Sequence, residues 1–179
     1  MARKTLLDVI SPIMAGPSSS HTAGAVRIGL MAREIYGTDI QKVQFRLYNS
    51  FATTGKGHGT DKALLAGLLG LEVDSTRIKN IFKENLEIDY SFEYVEDSNK
   101  HPNAVRIIIN DDMTIRAESV GSGEIRITNI NGFNVKLAII SSIRYASNVK
   151  VKEINIYNKS IKMLLTYFFI VPCFLLAFR

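Results

Sequence analysis

Four strand-length runs crowd into the middle of this chain: Ile88 to Val95, Ala104 to Asn110, Thr114 to Val120 and Glu124 to Ile130. Asp111-Asp112 and Gly121-Ser122-Gly123 separate the last three as hairpin turns. Upstream, the apolar residues recur with helical period. Ala25, Ile28, Gly29, Ala32, Ile35 and Tyr36 predict a helix that starts near Thr22 and stops at Gly37. Ala63, Leu64, Ala66, Leu68 and Leu69 predict a second, capped by Thr60 or Asp61. Ile78, Ile81, Phe82 and Leu86 suggest a third. Ile40 to Tyr48 alternates instead, with Val43, Phe45 and Leu47 on one face and Gln44, Arg46 and Tyr48 on the other, the pattern of a half-buried strand. Helices followed by closely spaced strands imply an α+β fold, helices packed on a largely antiparallel sheet.

Two polar stretches interrupt this scheme. One is Gly16-Pro17-Ser18-Ser19-Ser20-His21-Thr22-Ala23-Gly24, and the other runs from Ser50 to Lys62 through Thr53-Thr54-Gly55-Lys56-Gly57-His58-Gly59. Each gathers hydroxyls, glycines and a histidine just ahead of a helical pattern, so that backbone N–H groups and a helix start face a bound anion beside an imidazole. A helix cap needs one hydroxyl, whereas Ser18, Ser19, Ser20 and Thr22 supply four beside His21. The excess fits a carboxylate or phosphate ligand, with His21 as proton carrier or donor. Around His58 the alternate glycines let the backbone approach a ligand, and Lys56 is suited to neutralise an anion. Asp61 is expected to cap the following helix rather than orient His58. The second stretch is not a Walker A loop: Ser50 stands where that motif needs glycine, and Gly57 where it needs Ser or Thr. A serine-hydrolase nucleophile turn, Gly-x-Ser-x-Gly, is absent too. His101-Pro102-Asn103 reads on its own as a solvated turn.

Charge and cysteine content narrow the function. The formal net charge of +5 is confined to the end of the chain: residues 136–179 hold 7 Lys and Arg against 1 acidic residue, and residues 1–135 hold 15 against 16. The part with both polar stretches is nearly neutral and lacks the basic, aromatic-interleaved surface of a nucleic-acid binder. The single cysteine, Cys173, cannot form an internal disulfide or supply a cysteine-ligated cluster. With no signal-like start, this points to a reducing cytoplasm. Met163 to Phe178 is uncharged for 16 residues and contains Pro172. As a helix it would reach ~24 Å, short of the ~30 Å hydrocarbon core, so a membrane span is not expected.

The run Gly-Pro-Ser-Ser-Ser-His-Thr-Ala-Gly-Ala-Val-Arg-Ile-Gly at 16–29 resembles the β chain of the iron–sulfur-dependent L-serine dehydratases. Ser50 to Leu64, His101-Pro102-Asn103 and Gly121 to Phe133 are similar to that family as well, so the resemblance covers residues 1–137. It implies conversion of L-serine to pyruvate and ammonia, with a [4Fe–4S] cluster held by a separate α chain as partner and no pyridoxal phosphate. It implies His21 and His58 as candidate bases, and a substrate-binding set of Ser18, Ser19, Ser20, Thr22, Thr54, Gly55, Lys56, Gly57, His101 and Asn103. The same stretches would equally serve a non-catalytic module that senses serine or another small anion. β chains of the two-subunit type continue into a small ACT domain, whereas 138–179 diverges from one. The charge shift and the Ile/Asn/Lys-rich tail are what a reading-frame slip or a degenerate truncation would produce.

Overall fold

The computed structural model describes residues 14–37, 39–139 and 155–156. Helix α1 (Gly24–Tyr36) leads into β1 (Lys42–Tyr48); two short helical turns, Ser50–Thr53 and Gly55–His58, then precede α2 (Thr60–Leu68). A 3₁₀ segment, Thr76–Lys83, returns the chain to β2 (Asp89–Val95), after which β3 (Ala104–Ile109), β4 (Met113–Gly121), β5 (Glu124–Ile130) and β6 (Phe133–Ile139) follow as a meander. A two-residue strand, β7 (Asn155–Ile156), pairs with β6, and the sheet order is β2-β1-β3-β4-β5-β6-β7. The α+β expectation holds. The sheet is antiparallel except for β1 and β2, which run parallel. That pair needs the long crossover that α2 and the 3₁₀ segment supply.

The core forms where the inward residues of the sheet meet the two helices. Phe45, Leu47, Ile107, Ile109, Ile115 and Ile127 join Ile28, Leu64, Leu65 and Leu68, all at 0–1 % exposure. Burial of each large side chain contributes about 1.5–3 kcal/mol. Gly29 and Gly67 let α1 and α2 cross closely. A Cβ at Gly29 would collide with the Leu64 carbonyl, and one at Gly67 with the Val26 carbonyl.

Three expectations need correction. The third helix is a 3₁₀ segment: only Ile78 and Ile81 are buried, their spacing of three suits that tighter turn, and Phe82 instead packs outward against Tyr90. Neither Thr60 nor Asp61 caps α2, because Gly59 in the left-handed region (φ 69°) takes the cap position and puts both in the first turn. The second polar stretch, whose alternate glycines suit a loop, instead folds into the two helical turns. In addition, Asn131-Gly132, with φ 48° and 87°, forms a hairpin turn into β6. The divergent segment 138–179, with the uncharged run at 163–178 and Cys173, lies outside the described residues apart from the backbone of 138–139 and 155–156.

Candidate active site

The site forms at the end of the sheet where β1 and β2 finish, against the start of α1. Ser18 is extended (φ −136°, ψ 125°), and its Oγ accepts the His21 N–H at 3.1 Å. The Ser18 carbonyl accepts from both Thr22 N (2.8 Å) and Ala23 N (3.4 Å), so Ser19–Ala23 forms a wide π-type turn that merges into α1. Such turns recur at functional sites because they push side chains out of regular helical positions. Here the turn carries His21 outward toward β1.

On the opposite wall, Asn49 makes the junction between β1 and the first helical turn. It adopts φ 49°, ψ −116°, which costs a non-glycine residue on the order of 1–3 kcal/mol. Three bonds offset that cost: its Nδ2 donates to the carbonyls of Asp97 (2.8 Å) and Lys100 (3.0 Å), and its Oδ1 accepts from Asp97 N (2.8 Å). The sharp bend aims Ser50 and Thr54 together, since residues four apart share a helical face.

These two walls meet at His21. Its Nε2 lies 3.1 Å from Ser50 Oγ and 3.1 Å from Thr54 Oγ1, and its Nδ1 lies 3.4 Å from Ser18 Oγ. The Thr54 hydroxyl spends its proton on the Ser50 carbonyl at 2.8 Å. Toward the ring it can only accept, so Nε2 carries the imidazole hydrogen and Ser18 donates to Nδ1. The Phe51 ring meets His21 edge-on at 5.3 Å, and the His58 ring lies 4.9 Å away. Burial, with His58 adding to it, pushes the His21 imidazole below its ordinary value, and a hydrogen bond to the Ser50 backbone partly opposes the shift. His21 is therefore neutral near pH 7.

His58 stands in different surroundings. Its carbonyl accepts from the buried Thr22 hydroxyl at 3.2 Å, which ties the second wall to the first. Its ring nitrogens have no hydrogen bond among the described residues, and Nδ1 is buried. Gly55 packs against Thr60, whereas Gly57 faces open space.

The other expected residues stand further out. Ser19 and Ser20 are half-buried in the π turn, and among the described residues neither side chain hydrogen-bonds the two histidines. Lys56 is exposed and its ammonium sits 4.9 Å over the Tyr94 ring. The Tyr94 hydroxyl reaches Asp61 Oδ2 at 3.4 Å, and burial, reinforced by that carboxylate, pushes the phenol up to about 12. Asp61 thus faces Tyr94 and Lys62 N rather than His58. His101 Nδ1 accepts from Asn103 N at 3.1 Å, and Asn103 Oδ1 is buried without a hydrogen-bond partner among the described residues. This turn reaches the site through its backbone, where Phe51 N donates to the Pro102 carbonyl at 3.2 Å. Ser50, Asn49 and Tyr94 were missed by the motif reading. For Ser50 the signal was present: it stands four residues before Thr54.

An α+β domain with two neighbouring histidines, one of them caged by hydroxyls, at one end of its sheet is thus the class of protein defined here. The family model "Serine dehydratase beta chain" matches residues 6–91. Over that span the chain is similar to the serine dehydratase β-chain family. It is 41 % identical over 143 residues to "Probable L-serine dehydratase, beta chain" of Bacillus subtilis, covering 77 % of this chain and 65 % of that protein. It is also 41 % identical over 143 residues to "L-serine dehydratase, beta chain" of Peptoniphilus asaccharolyticus, covering 76 % and 64 %. Similarity to "L-serine dehydratase 2" of Escherichia coli is 36 % over 98 residues, 51 % of this chain and 19 % of that protein. The chain thus spans about two thirds of the two β chains, and a small part of the longer relative.

Proposed function

We propose that this chain is the β subunit of a cytoplasmic L-serine dehydratase and makes pyruvate and ammonia from L-serine together with an α subunit. The observation that carries the reading is the pairing of hydroxyl-caged His21 with the His58 ring 4.9 Å away. The similarity to two β chains, both bearing that name, supports it. In this reading a [4Fe–4S] cluster belongs to the α subunit, and pyridoxal phosphate plays no part. The chain's own residues do not fit such a cluster. It has one cysteine, and no three His, Cys, Asp or Glu converge to hold a metal among the described residues.

Serine becomes aminoacrylate when it loses its Cα proton and its hydroxyl as water; the imine tautomer then hydrolyses to pyruvate and ammonia. Binding and proton handling fall to this chain. Ser19 and Ser20, with the backbone N–H groups of Gly55 to Gly57, grip the substrate carboxylate. Ser18, Thr22 and Thr54, whose protons go to His21 Nδ1 and to the carbonyls of His58 and Ser50, line the pocket around it, and Lys56 adds charge at the rim. His101 and Asn103 border the same end. His58 takes the Cα proton, because no hydrogen bond from the described residues occupies its ring. Neutral His21, held by three hydroxyls, donates from Nε2 and keeps the cage in register.

The test is anaerobic co-expression with the α subunit and assay of pyruvate from L-serine. His58→Ala should lower kcat by about 10²- to 10⁴-fold. A second reading draws on the saturation of both His21 nitrogens by hydroxyls, which also suits a site that binds serine to regulate the partner. Under it, His58→Ala would leave kcat normal and shift only the serine dependence.

A further inference from the structure

One face of the sheet is turned away from the helices, and its charge is unbalanced. Along β1, β3 and β4 the inward residues Phe45, Leu47, Val105, Ile107, Ile115 and Ala117 are at 0–1 % exposure, so the residues that alternate with them point to the opposite side. The register on that side aligns Glu93, Arg46, Arg106 and Arg116 in one row across four neighbouring strands. Arg46 Nε is paired with Glu93 at 2.6 Å, and Glu118 is engaged by Arg126 at 3.6 Å. Both acidic partners are thereby used. Among the described residues, Arg106 and Arg116 have no carboxylate within ion-pair distance, and Arg106 Nε is buried with no hydrogen-bond partner. Like charges directly opposite on neighbouring strands repel, and a buried guanidinium N–H left unpaired costs free energy. A row of this kind is relieved by carboxylates from outside, which arginine forks bind in bidentate fashion.

We propose that this face docks an acidic surface of the α subunit, with carboxylates seated on Arg106 and Arg116. The inference rests on the subunit reading above. The chain's own tail is a poor occupant, because residues 136–179 carry 7 basic residues against 1 acidic. A second copy related by a two-fold axis through the row would set arginines against arginines. Arginine is among the residues most enriched at interface hot spots.

The experiment measures assembly of the full chain with the α subunit by sedimentation, across a range of NaCl concentrations. Wild type should assemble less tightly as salt rises. Arg106→Glu combined with Arg116→Glu should weaken the complex by about 100-fold, and the exposed Arg116→Glu alone by about 10-fold. Lys79→Glu, an equal charge change on the 3₁₀ segment, should leave it unchanged. Circular dichroism checks folding, and if the double variant does not fold, Arg116→Glu alone decides. Folded variants that assemble with wild-type affinity overturn the docking face and leave the subunit reading intact. A wild-type chain that does not assemble with the α subunit at any salt overturns both. A homodimer of the wild-type chain that the arginine variants abolish would assign the face to a second copy and overturn the proposal.

Discussion

The two histidines stand 4.9 Å apart and are held in opposite ways. His21 hangs from a π turn rooted in α1, with hydroxyls at both ring nitrogens and a neutral ring near pH 7. His58 ends a glycine-rich helical turn and, among the described residues, has no hydrogen bond on its ring. One imidazole is built into the scaffold and the other is left unused by it. That contrast assigns them different work: a satisfied group organises a site, and an unsatisfied one is available to a ligand or a proton.

The largest expected effect tests this division directly. In the proposed complex with an α subunit, His58→Ala should lose about 10²- to 10⁴-fold in kcat. Thr54→Val, which removes one hydroxyl from the His21 cage, should cost only about tenfold, roughly one hydrogen bond's worth. Steady-state pyruvate assays that rank the two the other way would reverse the roles. Next comes the seam that spaces the two walls. α1 follows the first wall and α2 follows the second, and they meet at Gly29 and Gly67. Gly67→Ala should destabilise the fold by about 1–3 kcal/mol, read as a lower urea midpoint, because its Cβ meets backbone that cannot turn aside.

Smaller effects lie at the rim and in the titrations. Tyr94 should ionise near 12 in an ultraviolet absorbance titration, a transition lost in Tyr94→Phe. Asp61→Asn should bring it partway down, since burial is the larger cause. A raised phenol stabilises the fold fully below its ordinary value of 10, and that contribution fades as pH climbs through 10 toward 12. His21 acts in the other direction. Its native value lies below the ordinary 6.5, so its contribution is complete above pH 6.5. As pH falls from there, the unfolded chain takes the proton first and stability drops. The urea midpoint should therefore decline from pH 7.5 to 5 in wild type, and less steeply in His21→Asn.

Much of the fold was legible. Hairpin turns at Asp111-Asp112 and Gly121-Ser122-Gly123 and the alternation of Val43, Phe45 and Leu47 are local signals, and α1 stops at Gly37 as its φ of 109° requires. The parallel pairing of β1 with β2 was not legible, because strand partners separated by a long crossover leave no mark in either strand. The third helix failed for a related reason: Ile78 and Ile81 fit either helix type, and the packing available to Phe82 decided between them. At the site, the hydroxyls and histidines announced themselves by crowding. Asn49 did not, since a single asparagine gives no sign of a strained bend until its three hydrogen bonds are seen.

The chemistry on offer was settled by the chain alone: two imidazoles, a run of hydroxyls and flexible glycines, with one cysteine and a neutral body. Their meeting was decided only in three dimensions. Residues 21, 50, 54 and 58 converge because Gly29 and Gly67 let two helices touch and Asn49 bends the end of β1. Long-range packing of this kind depends on which surfaces find each other, and no stretch of local sequence encodes that.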